Sequence, residues 1–338
     1  MDLGRIHRMG SRMGGDLVIP PAVPVTVPVT VLMPVRDPPV EMLKRAIASI
    51  TTQTFADFEF LIVDDGSRSE STRACLVRAA NADERIRIAW EAHGGVTRAL
   101  NTGLQLARGE WIARQDADDW SEPGRLAAQI EFLQNNPHTG LCGTAAWMHQ
   151  GNGRRLWLRR FAGTREEILA DFWKGSPFVH GSVMFHAATA RALGGYREEF
   201  ACAQDYDFLW RLTERAGAAN LDRALYHYRY TSDSVSGQRA SEQARAQRAA
   251  QRLALARRRG ERENAAAALA DSEADGPARF AAALRQADRL MLAGEYGRAW
   301  LAYVELLWGR PGSGLAWAKL ARWGVFVAVP PVREACFR

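Results

Sequence analysis

The chain has 338 residues, 47% of them hydrophobic and 24% charged, enough to bury a full core and to hold one large domain with an appendage. Its formal net charge of +6 is unevenly placed: residues 236–338 hold 17 of the 44 basic and 10 of the 38 acidic residues, whereas residues 1–235 hold 27 and 28. The basic surplus therefore belongs to the tail and no nucleic acid is implied as a partner, while four scattered cysteines (Cys75, Cys142, Cys202, Cys336) without CxxC pairing exclude a zinc or disulfide framework and fit reduced cytoplasmic thiols.

Arg5, Arg8 and Arg12 precede an uncharged stretch, Leu17 to Val35, that imitates a signal peptide or anchor. Pro20, Pro21, Pro24, Pro28 and Pro34 interrupt it, and at ~3 kcal/mol for each interior proline a spanning helix is excluded. Residues 1–23 read as a disordered leader.

Val29 to Val35 is β-branched and apolar, the composition of a buried strand. Glu41 to Gln53 follows as a helix, with Leu43, Ala46, Ile47 and Ile50 at helical spacing. Phe58 to Val63 is a second strand that stops at Asp64-Asp65-Gly66-Ser67. Strand, helix and strand thus deliver an acidic turn to the carboxyl edge of a parallel sheet, where open α/β sheets bind ligands. An Asx-type turn and a ligand contact are compatible readings of that turn. Further on, Gly109 to Asp119 runs from an apolar strand into Asp116-Ala117-Asp118-Asp119. Read as extended chain, Asp116 and Asp118 point the same way. Like charges so close call for compensation, and a Mg²⁺ or Mn²⁺ ion shared with a substrate phosphate supplies it.

Several of these segments together resemble glycosyltransferase family 2, of GT-A fold. They are Val31-Leu32-Met33-Pro34-Val35, Gln53-Thr54-Phe55 through Val63-Asp64-Asp65-Gly66-Ser67, and Ala99-Leu100-Asn101-Thr102-Gly103 through Asp116-Ala117-Asp118-Asp119. His180-Gly181-Ser182-Val183-Met184-Phe185, Gly194-Gly195-Tyr196-Arg197 and Ala203 to Leu212 continue the likeness, in the family's order, over roughly residues 28 to 235. The resemblance implies a Rossmann-like, mostly parallel sheet with helices on both faces. It also implies a nucleoside held by Asp64 and Asp65 against the backbone of Pro34 and Val35, and a DXD-type motif at Asp116 and Asp118 whose last Asp binds the metal. Asp205 matches the general base and His180 an acceptor-side residue. Arg36-Asp37 departs from the family's Tyr-Asn pair, Gln204 stands where Glu is commoner, and the absence of Gln-x-x-Arg-Trp argues against a processive synthase.

Three residues keep competing readings. Asp205, at the start of a segment with Phe208, Leu209 and Leu212 on one helical face, is either the base or a helix cap. Arg229 either faces a diphosphate or is a solvated arginine on an edge strand, and His180 is a functional group or a satisfied core histidine. His93, His149, His186 and His227 lack metal-ligand spacing and read as structural or surface. No Gly-x-Gly-x-x-Gly or P-loop is present.

From residue 237 the texture changes to Ala and Arg. Ser241 to Arg262 is helical by composition; Phe280 to Trp308 is amphipathic and helical, and its Ala293 to Trp300 segment resembles one tetratricopeptide-like hairpin. Leu315 to Val332 places Trp317, Trp323 and Phe326 beside Lys319 and Arg322, too short and interrupted to span a bilayer. Either these aromatics are core, or a basic, Trp-bearing helix lies on an anionic inner leaflet.

The expectation is a disordered leader over 1–23, a GT-A catalytic domain over 24–236 and a helical C-terminal region over 237–338. Its function is that of a non-processive, inverting transferase moving a sugar from a UDP-type donor to a saccharide or lipid-linked acceptor. It would be cytoplasmic or peripheral at the inner face of the membrane. The alternatives are a sugar nucleotidyltransferase and a non-catalytic nucleotide-sugar-binding scaffold.

Overall fold

The computed structural model describes residues 27–230, 240–270, 276–309 and 313–328. The leader expected over 1–23, Cys336, and the side chains of Arg322, Trp323 and Phe326 lie outside the described residues.

β1 (Val29–Val35) is buried except at Pro34, and α1 (Val40–Thr51) lays Leu43, Ala46, Ile47 and Ile50 on the sheet. β2 (Phe58–Asp65) is buried along its whole length and carries both aspartates as its last two residues. α2 (Glu70–Ala82) starts at Ser69, whose hydroxyl accepts from the Thr72 N–H. β3 (Ile86–Glu91), α3 (Val96–Leu106) and β4 (Trp111–Arg114) complete a parallel half-sheet in the order β3-β2-β1-β4.

The second half is mixed. β5 (Trp120–Ser121), α4 (Arg125–Asn135), β6 (Leu141–His149) and β7 (Arg155–Arg159) lead through α5 (Arg165–Asp171) and a 3₁₀ turn (His180–Ser182) into β8 (Met184–His186). α6 (Ala187–Ala192), α7 (Gln204–Ala216) and β9 (Ala219–Arg229) follow. The sheet continues from β4 through β8, β6 and β9 to β5, with β7 on β6. Alternation splits each central strand between two cores. Leu32 and Leu61 join Leu100, Phe185, Phe208 and Trp210 on one face, while Val31 and Phe60 join Leu43, Ile47 and Leu76 on the other.

The Ala-rich tail is joined to this body. α8 (Ala240–Arg258) packs on α7, and its Ala249, Ala250 and Leu253 enter the same core as Phe208. The short α9 (Ala265–Ala270) lies against it. α10 (Gly276–Ala293) and α11 (Tyr296–Gly309) form a hairpin broken at Gly294, whose φ of +90° is open to glycine at little cost. With α12 (Gly314–Ala328) they enclose Leu284, Ala287, Leu290 and Tyr303, and Leu156, Trp157 and Tyr230 of the body pack against that cluster. Gln150 donates to the Tyr296 hydroxyl at 2.7 Å across the junction. Among the described residues no helix is long and apolar enough to cross a membrane.

Candidate active site

The parallel strands end at one edge, and there the acidic residues gather. Paired register sets Val35 of β1 opposite Asp64 of β2. The two aspartates then divide their work. Asp65 is consumed: Oδ1 accepts from the N–H groups of Gly94 and Gly95 at 2.7 and 3.1 Å, and Oδ2 meets His93 Nδ1 at 2.9 Å. It pins the β3–α3 turn to β2. Asp64 accepts from the Ser67 N–H through Oδ2, while its buried Oδ1 has no hydrogen-bond partner among the described residues. A buried acceptor without a donor is costly, and of the pair it is Asp64 that keeps acceptor capacity unspent.

The Arg36-Asp37 departure has a local explanation. Asp37 sits at φ +44°, a left-handed conformation that Asn and Asp tolerate. Its carboxylate accepts from the Arg68 and Ser69 N–H groups, tying the β1–α1 loop to the start of α2. Arg36 meets His93 Nε2, so His93 stands between Arg36 and Asp65 at the rim of the site.

The acidic motif is not extended, which corrects the sequence-based geometry. β4 ends at Arg114, and Ala117-Asp118 form a turn closed by the Asp119 N–H donating to Asp116 O. The turn still packs the carboxylates together. Burial and the negative charge of Asp116 push Asp118 up to about 6. Burial, then Asp118 and Asp116, raise Asp119 well above the usual carboxylate range, although its Oδ1 accepts from the Arg229 N–H at 2.7 Å.

Beneath the turn lies a buried scaffold that sequence reading missed. Arg114 is fully buried and donates to Leu32 O, Gln115 O and, at 2.6 Å, Asp116 Oδ1. Its Nε approaches His180 Nε2 at 3.4 Å, where the Tyr196 hydroxyl also bonds at 2.8 Å. Burial and the charge of Arg114 hold His180 well below its ordinary value, so it is a neutral imidazole tied to Tyr196. Arg125, also fully buried, donates to Arg114 O and Gly181 O. Gly181 is required by proximity: a Cβ there would overlap the Tyr226 hydroxyl and come within 2.7 Å of Asp116 Oδ2. The signal available in the sequence was an arginine inside the apolar run Trp111-Ile112-Ala113-Arg114, since a buried charge requires a partner.

Within reach of the charge of Asp116, α7 presents two aspartates with different fates. Asp207 is buried between Arg197, at 2.9 Å, and Arg211, at 2.8 Å. Arg197 continues to Glu263, which Arg257 also holds, so this ion-pair network clasps the tail to α7. Asp205 has no cation partner among the described residues. Burial raises its pKa, backbone N–H groups of the first turn oppose this, and the charge of Asp116 adds to the rise. The N-cap position belongs to Ala203, at φ +55°, a strained conformation for a residue with a Cβ. Arg229 is 8% exposed, on a strand that lies between β6 and β5, so the solvated edge-strand reading does not hold.

The residues at the motif suit a divalent cation that shares its coordination with substrate. Asp116 and Asp118 offer hard oxygen donors; burial first, and then the charge of Asp116, raises Asp118. Among the described residues no three His, Cys, Asp or Glu side chains converge on one point. One or two carboxylates completed by phosphate oxygens are the usual arrangement for Mg²⁺.

Similarity to known proteins agrees with this arrangement. The family described as Glycosyl transferase family 2 matches residues 30–193. EpsE of Bacillus subtilis is 34% identical over 57% of this chain and 69% of its own. The amylovoran biosynthesis glycosyltransferase AmsE of Erwinia amylovora is 30% identical over 59% of this chain and 74% of its own. The chain belongs to glycosyltransferase family 2. This glycosyltransferase shares its fold with TarS of S. aureus, solved with UDP-GlcNAc, at a TM-score of 0.54 and 17% identity over 80% of this chain and 73% of that one. The mannosyltransferase PcManGT of Pyrobaculum calidifontis, solved with GDP-Man and Mn²⁺, gives 0.52 and 18% over 91% and 82%. These likenesses establish a GT-A fold for the enzyme.

Proposed function

We propose that this enzyme is a non-processive, inverting, metal-dependent transferase that moves a sugar from a nucleoside-diphosphate donor, UDP-linked in the first instance, to a hydroxyl acceptor in surface polysaccharide or glycolipid assembly. The observation that carries the reading is the contrast within α7. Asp207 is neutralised by two arginines, whereas Asp205 keeps a carboxylate without an ion-pair partner among the described residues, with a raised pKa, within reach of the charge of Asp116.

In this reading Asp64 receives the nucleoside, with the Pro34 and Val35 backbone and Asp65 framing the pocket. Asp118, with Asp116 beside it, holds Mg²⁺ or Mn²⁺, which when bound neutralises charge on the leaving diphosphate. Asp205 accepts the proton of the acceptor hydroxyl as its oxygen attacks the anomeric carbon. A raised pKa suits that task, since a base nearer the working pH transfers protons more effectively. His180, neutral and fixed by Tyr196, lines the acceptor side. A single base with no second carboxylate acting as nucleophile favours inversion. The catalytic unit is taken as residues 24–236, and 237–338 as its helical extension.

The exposed Trp300, Leu301, Val304, Leu315 and Trp317 on α11 and α12, with the basic surplus of the tail, support a cytoplasmic enzyme held peripherally at the inner leaflet. Cosedimentation with anionic vesicles tests this, and a protein left wholly in the supernatant at low salt ends the idea.

The deciding experiment is calorimetry with UDP, GDP and a deoxythymidine diphosphate, with and without Mn²⁺, on the full chain and on Asp118→Asn and Asp205→Asn. Metal-dependent binding that Asp118→Asn weakens and Asp205→Asn preserves, together with lost turnover in both, is expected. A folded protein that binds none of the three overturns the reading.

A further inference from the structure

Two guanidinium groups share the Trp120 ring beside the acidic motif, and neither has a carboxylate or a hydrogen-bonded partner among the described residues. The Arg45 Cζ lies 3.3 Å from the centroid of the Trp120 ring, and the Arg229 Cζ lies 5.5 Å from the same centroid. Arg229 is nine-tenths buried, and its Nε has no hydrogen-bond partner. Its backbone is fixed, because its N–H holds Asp119. Arg45 reaches in from the exposed side of α1.

The pair is close enough for like-charge repulsion: burial, then the charge of Arg229, lowers the pKa of Arg45. No carboxylate pairs with either group among the described residues. Glu122 is committed to His227 Nε2 at 2.6 Å, Asp119 accepts the backbone of Arg229, and Asp118 feels the charge of Arg229 without an ion pair to it. Cation–π stacking on Trp120 orders the two groups without neutralising them. Two preorganised, partly dehydrated guanidiniums without an anion form a receptor for one, and their planar forks match phosphate oxygens.

Position names the anion. Trp120 follows directly on Asp118-Asp119, and the charge of Arg229 acts on Asp118. An anion on the two arginines therefore lies next to whatever Asp118 binds. We propose that Arg45 is a second cationic contact for the donor's diphosphate, clamping it together with Arg229 over Trp120. The proposal rests on the donor-site reading above and adds to it a residue from α1, outside the motif segments that identify the family. Charge building up on the departing diphosphate is met by two fixed cations that need no reorganisation.

The test is calorimetry on the full chain in Mn²⁺. The tightest-binding of UDP, GDP and deoxythymidine diphosphate serves as probe, with its monophosphate in parallel. Arg45→Gln is expected to weaken the diphosphate about tenfold and the monophosphate less than about twofold, because one charge-assisted contact to the outer phosphate is lost. Arg45→Lys, which keeps the charge and loses the fork, is expected between the two. Thermal melts of the ligand-free variants report any purely structural role of the stack. Unchanged diphosphate affinity in Arg45→Gln, with a wild type that binds, overturns the clamp and leaves the donor site standing. So does equal weakening of mono- and diphosphate. A wild type that binds none of the probes overturns both.

Discussion

Arg114 and Asp116 lie two residues apart at the end of β4, and the 2.6 Å bond between them joins a fully buried guanidinium to a partly exposed carboxylate. The same guanidinium donates to Leu32 O and approaches His180, so one side chain couples the first strand, the acidic turn and His180. Arg114→Met leaves Asp116 unpaired and removes a donor from two carbonyls, of which Leu32 O keeps the Gln115 N–H at 3.1 Å. Removing one partner of a buried pair costs roughly 3 kcal/mol or more, and a urea midpoint lowered accordingly is expected. Should the midpoint stay within error of wild type, Arg114 is not the scaffold described.

Asp118 makes the ligand-free protein weaker as pH rises. Its folded pKa of about 6 lies above the ordinary 3.8, so the folded state binds the extra proton between those values. Stability from this group is present below about pH 4 and lost as pH rises through about 6, a swing of roughly 2–3 kcal/mol. Asp118→Asn is therefore expected to melt higher than wild type at pH 8 and about level at pH 4. Mn²⁺ should raise the wild-type melting temperature and leave the variant where it was. Melts at the two pH values, with and without metal, check both halves.

The two aspartates of α7 should separate cleanly. Asp207→Asn removes a charge on which Arg197 and Arg211 both depend, with an expected loss of roughly 3 kcal/mol. Asp205→Asn removes a carboxylate with a raised pKa and no cation partner, so stability holds or rises while turnover falls by at least about a hundredfold. In its proposed role as base Asp205 acts ionised, so wild-type activity should rise with pH through its raised pKa. Equal destabilisation by both substitutions would place Asp205 among the structural residues.

Gly181→Ala forces a methyl group against the Tyr226 hydroxyl and the Asp116 carboxylate. Overpacking of this kind costs about 1–3 kcal/mol, and Asp116 is displaced with it. Adding Tyr226→Phe removes the oxygen that the methyl meets, and part of the lost stability should return. A double variant no better than the single one would mean that the backbone, rather than the hydroxyl, absorbs the strain.

Much of this molecule was legible in its sequence because the relevant physics is local. Apolar, partly β-branched runs marked β1 and β2, the spacing of Leu43, Ala46, Ile47 and Ile50 marked the buried face of α1, and the Ala293 to Trp300 segment marked the hairpin of the tail. The presence of acidic residues at the carboxyl edge, and the family to which they belong, followed from motifs within a few residues of one another. What each carboxylate does was decided by tertiary structure. Asp65 is occupied by Gly94, 29 residues away, Arg114 meets His180 at a separation of 66, and Asp116 donates its N–H to Tyr226 at 110. Those partners follow no sequence period, so the spent and the open member of each acidic pair look alike in one dimension. The turn at Ala117-Asp118 is likewise tertiary: β4 ends at Arg114, whose buried side chain bonds Leu32 O and Asp116, and the chain bends where an extended strand was expected.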